Sequence, residues 1–158
     1  MMDHWDIFFL KQVAVTYASK SKDRSTQVGA VITSGDDHAV LSTGWNGFPR
    51  GVNDDVEERH LRPDKYIWTE HAERNGIYNA ARRGIPLLGS TLYSTLMPCC
   101  DCARAAIQSG IVRVVTNEPD WSDQHRNDAS KHHQSLEMFR EAGVEVVFAD
   151  PDQKETDG

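Results

Sequence analysis

The sequence predicts an α/β domain of three layers, α/β/α, around a five-strand mixed sheet. Three observations carry this expectation. Five short β-prone runs alternate with segments of helical apolar period, in the order α-β-β-α-β-α-β-α-β. The first two runs are separated only by Ser34-Gly35-Asp36-Asp37, whose turn chemistry closes an antiparallel hairpin. The later runs are joined through helices, and such crossovers imply parallel neighbours with helices on the sheet faces.

Each element has its own reason. Over residues 3–20, Ile7, Leu10, Val13, Ala14 and Tyr17 recur at steps that give one buried helical stripe. Asp3 and Asp6 suit the start of that helix, and Lys20 and Lys22 its end. Residues 27–33 and 39–45 form the hairpin strands. Residues 46–69 are polar and carry Gly47, Pro49, Gly51 and Pro63. A loop this long in a small domain is uncommon without a task, and a short helical piece is expected near 57–62. A second helix covers 70–83, with Arg82 and Arg83 in its last turn and Gly84 closing it. Strand 90–95 follows, and Pro98 stands as the first residue of a third helix that runs to Ser109 and stops at Gly110. Residues 111–116 read as a strand buried on both faces. A polar loop over 117–128 leads to a fourth helix, 129–142, with His132 and His133 on its solvent side and Gly143 after it. Residues 144–148 are the last strand. One domain is expected over 1–150, with a polar, acidic, fraying tail over 151–158.

Composition narrows the function. The 158 residues hold 17 Lys and Arg against 24 Asp and Glu, a net charge of −7. A large polyanion is normally held by clustered Lys and Arg, so a nucleic-acid polymer is not the expected partner. A small phosphate needs only one or two local arginines. No apolar run approaches the ~20 residues that span a bilayer. The opening Met-Met-Asp-His-Trp-Asp lacks a basic signal region, and three cysteines do not suit a secreted disulfide framework, so a cytoplasmic, reduced protein is expected.

The chemistry lies in His71-Ala72-Glu73 and Pro98-Cys99-Cys100-Asp101-Cys102. Cys99 and Cys102, three apart at a helix start, place both sulfurs on one face, where helix amides favour the thiolate that zinc binds. One His and two Cys leave a fourth tetrahedral position open, the pattern of a catalytic rather than a closed structural zinc. Glu73 is a carboxylate near the metal but not on it, placed to take a proton from water and hand it to a ring nitrogen and then to a departing amine. His-x-Glu with Pro-Cys-x-x-Cys is the established signature of zinc nucleobase deaminases. Alone, a Cys-x-x-Cys is also a redox pair and a His-x-Glu is common by chance; together they are specific. Cys100 points about 100° from Cys99 on a helix and reads as a packed or free thiol.

At this point the chain resembles the deoxycytidylate (dCMP) deaminases of the cytidine deaminase superfamily. The resemblance runs through residues 19–32, through Gly44-Trp45-Asn46-Gly47-Phe48-Pro49-Arg50-Gly51-Val52-Asn53-Asp54-Asp55, and through Thr69-Glu70-His71-Ala72-Glu73-Arg74-Asn75. It continues over Thr91-Leu92-Tyr93, residues 98–103 and residues 107–111, and covers most of 7–148. The zinc segments mark the superfamily; the asparagine-glycine-proline-glycine loop before an acidic pair marks the dCMP branch. The resemblance implies a cytidine-deaminase-like fold and hydrolysis of dCMP to dUMP and ammonia, supplying thymidylate synthesis. It implies Zn²⁺ on His71, Cys99 and Cys102, Glu73 as proton shuttle, Asn46 at the sugar and base, and the backbone at Ala72 and around 97–99 at the cytosine edge. It further implies a homo-oligomer, a hexamer above all, activated by dCTP and inhibited by dTTP with Mg²⁺. The regulatory loop would include Gly44, Asn46, Gly47, Gly51, Asn53 and Asp54, although these glycines could equally shape the substrate mouth. Trp45 replaces a usual tyrosine, and the stretch between Asp55 and Thr69 lacks the cysteines of a further structural zinc.

The 5′-phosphate has two candidate sites. Arg24 and Ser25, just before the first strand, offer a guanidinium and a hydroxyl. Trp121, Ser122 and His125 lie in the loop after a strand, where α/β sites draw residues, or simply form a solvated loop with a half-buried tryptophan. His60 reads as a solvated loop histidine. Rival substrates for the same site are free cytidine, a riboflavin-pathway pyrimidine and tRNA adenosine. The rival from another class is a zinc-stabilised binding module, which would have no need of Glu73.

Overall fold

Alternation along the strands divides the core in two. In the computed structural model, which describes residues 2–149, β1 (Gly29–Thr33) sends Ala30 and Ile32 to one face and Val31 to the other. β3 (Thr91–Ser94) does the same with Leu92 and Tyr93, and β4 (Arg113–Asn117) with Val114 and Val115. β5 (Glu145–Ala149) turns Val147 to the second face. Register lines these rows up: Leu92, Val114 and Val146 are neighbours across three strands, as are Tyr93, Val115 and Val147.

The strand order is β2-β1-β3-β4-β5, with β2 at Val40–Trp45. β1 runs antiparallel to both β2 and β3, while β3, β4 and β5 are parallel. All five expected strands are present, in the mixed sheet the connections required. On one face lie α4 (Ala72–Ala81), α5 (Cys100–Ser109) and α7 (His132–Glu141), which bury Ala72, Ala80, Ala103, Ala106 and Phe139 over the sheet. On the other lies the N-terminal rod: α1 (His4–Phe8), a π-helical segment (Phe9–Ala14) and α2 (Val15–Ala18). Its Ile7, Leu10 and Ala14 cover Val31, Tyr93, Val115 and Val147. Two glycines permit these close layers. A Cβ on Gly29 would stand 1.9 Å from the Ala14 carbonyl oxygen, and one on Gly44 2.3 Å from that of Ala72.

Asp6 does more than favour a helix dipole. It is 1% exposed, and its carboxylate accepts both terminal guanidinium nitrogens of Arg113 at 2.6 Å and the Tyr93 hydroxyl at 3.1 Å. This pair pins the rod to the sheet.

The connections depart from expectation in three places. Pro98 precedes α5 rather than opening it, because Cys99 takes the extended cap position with φ −68° and ψ 172°. The long loop holds, besides the expected turn at Glu57–His60, a further helical turn α3 at Lys65–Trp68. The helix expected over 129–142 is two: α6 (Gln124–Ser130) begins inside the expected loop, and Lys131 at φ +55° separates it from α7. That break turns His132 inward, so it is buried rather than on the solvent side; His133 is exposed. The boundary at 150 and the tail over 151–158 lie outside the described residues. No described helix is long and apolar enough to cross a membrane.

Candidate functional site

Two helix starts meet on the face that carries α4 and α5. His71 caps α4 in an extended conformation, φ −77° and ψ 151°, as Cys99 caps α5. Neither cap side chain bonds its own helix, and Cys102 follows in the first turn of α5. His71 Nδ1 lies 3.4 Å from Cys99 Sγ and 3.5 Å from Cys102 Sγ. One ligand atom from each of the three falls within 4.8 Å of the others. Zinc bonds of about 2.0 Å to nitrogen and 2.3 Å to sulfur, at a tetrahedral angle, put those atoms about 3.5 Å apart. The residues therefore fit Zn²⁺, with Nδ1 as the histidine donor. Cys100 is a free thiol beside Arg104 and outside this cluster.

The cluster is electrostatically primed. Cys99 is pushed down to about 4, first by the hydrogen bond it receives from Cys102 and then, against the cost of burial, by His71. Cys102 is pushed up, first by giving that hydrogen bond and then by burial. The Cys99 contact raises His71. Glu73 is 3% exposed and burial raises its carboxyl, partly offset by Ser94. Its Oε1 accepts from Ser94 Oγ at 2.7 Å, while Oε2 lies 3.6 Å from Cys102 Sγ. Glu73 is thus beside the ligands without being one of the cluster's three.

Two supporting residues have no signature in the sequence. Ser94, at the end of β3, has one hydroxyl hydrogen and two acceptors, Glu73 Oε1 and the Leu96 carbonyl at 2.8 Å. It can donate to an ionised Glu73, or accept from a protonated one while donating to Leu96. Burial opposes the Arg74 charge, but its neighbours Cys102, Glu70, Cys99 and Asp101 raise its pKa, and it bonds Glu70 at 2.7 Å. Arg74 could have been suspected from its place beside Glu73; Ser94 looks like any strand serine.

Asn46 connects the cluster to the long loop. Its Oδ1 accepts from Val28 N at 2.8 Å and its Nδ2 donates to the Thr26 carbonyl at 2.9 Å. Each group keeps one further hydrogen-bonding position. Gly47 pairs with Glu70 through two backbone bonds of 3.1 and 2.8 Å, which fastens the loop next to His71. Ala72 is fully buried at the start of α4.

Beside Asn46 opens a cleft of about 340 Å³. Five cations line it (Lys20, Lys22, Arg24, Arg50 and Lys65) against two aspartates, Asp23 and Asp54. On a chain of charge −7 this is a local positive patch. Arg24 makes an exposed bidentate pair with Glu57 at 2.6 and 2.9 Å, and Lys22 pairs with Asp54 at 2.8 Å. Ser25 Oγ accepts from Lys65 Nζ at 2.8 Å. Lys65, which the sequence reading did not single out, is buried and also pairs with Asp23 at 3.2 Å.

Gly47, Gly51 and Asp54 line the cleft, Gly51 at φ +79°. Gly44 instead serves the contact of β2 with α4, and the Asn53 side chain accepts from the Asp55 amide. His60 bonds the Asp54 carbonyl and stacks on Phe48 at 4.9 Å, so it is a loop brace. Trp121 donates to Glu118 at 2.9 Å and packs against His133 and Phe148, while Ser122 and His125 are exposed. Among the described residues, none of these three joins the His-Cys cluster.

A family model described as the cytidine and deoxycytidylate deaminase zinc-binding region matches residues 4–118. The chain is 36% identical to a probable deoxycytidylate deaminase of Drosophila melanogaster, over 96% of this chain and 75% of that one. It is 32% identical to the human deoxycytidylate deaminase, over 89% and 76%. The solved dCMP deaminase of cyanophage S-TIM5, in complex with dCMP and dUMP, superposes with a TM-score of 0.73 at 25% identity, over 94% of this chain and 99% of that one.

Proposed function

From its membership of the cytidine and deoxycytidylate deaminase family, to which this chain belongs, we propose that it hydrolyses dCMP to dUMP and ammonia. The observation that carries this reading is a buried, non-ligand Glu73 beside a converged His71, Cys99 and Cys102. A structural zinc module has no use for that carboxylate. Human and fly relatives named for deoxycytidylate, and a neighbour solved with dCMP and dUMP, support the substrate.

Zinc held by His71, Cys99 and Cys102 supplies Lewis acidity that makes a water molecule acidic near neutral pH. Glu73 takes one proton from the water and delivers it to the ring nitrogen N3. It then carries the second to the exocyclic amine, which leaves C4 as ammonia. Water adds one oxygen and two hydrogens, and one nitrogen leaves as NH₃, so the exchange balances. Ser94 holds Glu73 in both of its states. Asn46 offers its spare donor and acceptor to the sugar, and the backbone at Ala72 and 97–99 faces the cytosine edge.

We assign the cation-lined cleft to phosphate. Arg24 and Ser25 receive the substrate 5′-phosphate, with Lys65 holding Ser25. The loop side, Gly47, Gly51 and Asp54, takes a regulatory triphosphate: dCTP as activator, dTTP with Mg²⁺ as inhibitor, within a cytoplasmic homohexamer. The test is ammonia release from dCMP, CMP, deoxycytidine and dCTP in parallel, with and without dTTP and Mg²⁺. dCMP is expected to turn over best and dTTP to slow it. Deoxycytidine turnover equal to that of dCMP removes the phosphate assignment, and indifference to both triphosphates removes the regulatory one.

A further inference from the structure

One face of α7 carries side chains that proton transfer does not use. His132, Ser135 and Phe139 recur at steps of three and four, which puts them on one side of the helix, and all three are buried. Ser135 Oγ donates to the Pro98 carbonyl at 2.8 Å. His132 Nδ1 lies 3.0 Å from Asn127 Oδ1. Asn127 Nδ2 donates in turn to the Asp120 carbonyl at 2.9 Å, which orients the amide with its oxygen towards the ring. Nδ1 is therefore the protonated nitrogen. The second nitrogen, Nε2, is buried without a hydrogen-bond partner among the described residues. Burial lowers the ring's pKa, against the Met97 carbonyl and the charge of Cys99, which raise it. The ring is thus held from α6, buried on the same face of α7 whose Ser135 ties down Pro98 next to Cys99.

Lys131 makes this possible. Its left-handed conformation, rare for a residue with a side chain, lets α7 restart at a new angle with His132 turned in. An unbroken helix over this stretch would not bring Asn127 and His132, five apart, onto one side as directly as three- or four-residue neighbours.

We propose that His132 is a positioning residue for the metal centre. With Ser135 it holds Met97, Pro98 and Cys99 in the extended course that presents the Cys99 sulfur to His71. The inference rests on the zinc reading of the His-Cys cluster and not on the substrate. Partners that orient ligands characteristically change metal affinity by 10–100-fold when removed.

The test uses the zinc-loaded full chain and two readouts that need no substrate: transfer of zinc to a competing chelator, and the thiolate-to-cobalt absorption band of the Co²⁺-substituted protein. His132→Leu is expected to weaken zinc retention by about tenfold and shift the band. His132→Gln, whose amide can still bond Asn127, should recover much of that loss, and Ser135→Ala, which frees the Pro98 carbonyl, should also weaken retention. Wild-type zinc transfer and an unchanged band in a folded His132→Leu overturn the proposal, even if its Tm falls. If that variant does not fold, wild-type transfer and band in Ser135→Ala overturn it instead. These responses in a protein that turns over no dCMP would sink the substrate reading and leave the positioning role standing; a protein that takes up no zinc sinks both.

Discussion

The His-Cys cluster and the cation-lined cleft are built on opposite principles. The cluster stands on two helix starts anchored in the core, with Ala72, Cys102 and Ala103 fully buried. Its groups perturb one another because little water reaches them. The cleft stands on a loop held by ion pairs such as Lys22–Asp54 and Arg24–Glu57, whose side chains are largely exposed. Exposed pairs are weak and screened by salt. Bond-making therefore sits on rigid ground, where a displaced atom is costly. On the proposed assignment, recognition sits where partners can be exchanged, since the exposed Arg24–Glu57 pair costs little to break in favour of a phosphate. A third region, the Asp6–Arg113 pair, is also largely buried, and it joins rod and sheet.

Four measurements sharpen or break this division, from the largest effect down. Glu73→Gln should keep its zinc and lower kcat by about 10³–10⁴-fold, with KM changing far less. Metal content by atomic absorption alongside steady-state rates checks this, and an unchanged rate would falsify the shuttle.

Asp6→Ala should cost about 3 kcal/mol of stability by leaving the buried Tyr93 hydroxyl without its acceptor and Arg113 with only the exposed Glu145, while kcat stays near wild type. Denaturant unfolding reads it. Its pH dependence has a definite sign. Burial opposes the Asp6 charge, but hydrogen bonds from Arg113 and the Asp3 cap bring its pKa below the usual aspartate value. Its contribution is therefore present above that usual value, about 3.9, and is lost as pH falls through the lower folded one. Asp6→Asn should flatten this acid limb; a limb as steep as wild type would refute the assignment.

Asn46→Ala belongs to both regions. It strands the buried Val28 amide and, on the proposed assignment, removes a sugar contact, so we expect about 2 kcal/mol of destabilisation together with a raised KM for dCMP. A loss of stability with no change in KM would leave Asn46 a brace only. The smallest effect is expected from Arg24→Ala: no measurable change in Tm, and KM for dCMP raised about tenfold, with deoxycytidine unaffected. Equal effects on nucleotide and nucleoside would break the link between this cleft and phosphate.

The deaminase signature was legible because it is short-range. Cys99-x-x-Cys102 lies within one helical turn, so spacing alone predicts that the two sulfurs share a direction, and His71-x-Glu73 is marked by its residue types two apart. The five strands were legible for a similar reason: period-two alternation and turn chemistry act over a few residues. Gly84, Gly110 and Gly143 follow or close helices at positive φ, as their places after periodic segments implied. Asn46 was legible only through the resemblance. Trp121 stood in a loop suited to a ligand site, and its contacts with Glu118, His133 and Phe148 come from its own loop and from two later elements.

What the chain determines by itself is thus the set of local elements, their order, and the chemistry each helix start carries. Only the tertiary structure decides that α4 and α5 lie side by side, bringing His71 within 3.5 Å of two sulfurs some thirty residues away. It alone supplies Ser94 for Glu73, Lys65 for Ser25, and the inward turn of His132 behind Lys131. These partners come from distant segments, or from a backbone conformation that no local preference favours. They exist because burial on a shared sheet makes an unpaired polar group costly, and that cost arises only once the layers have closed.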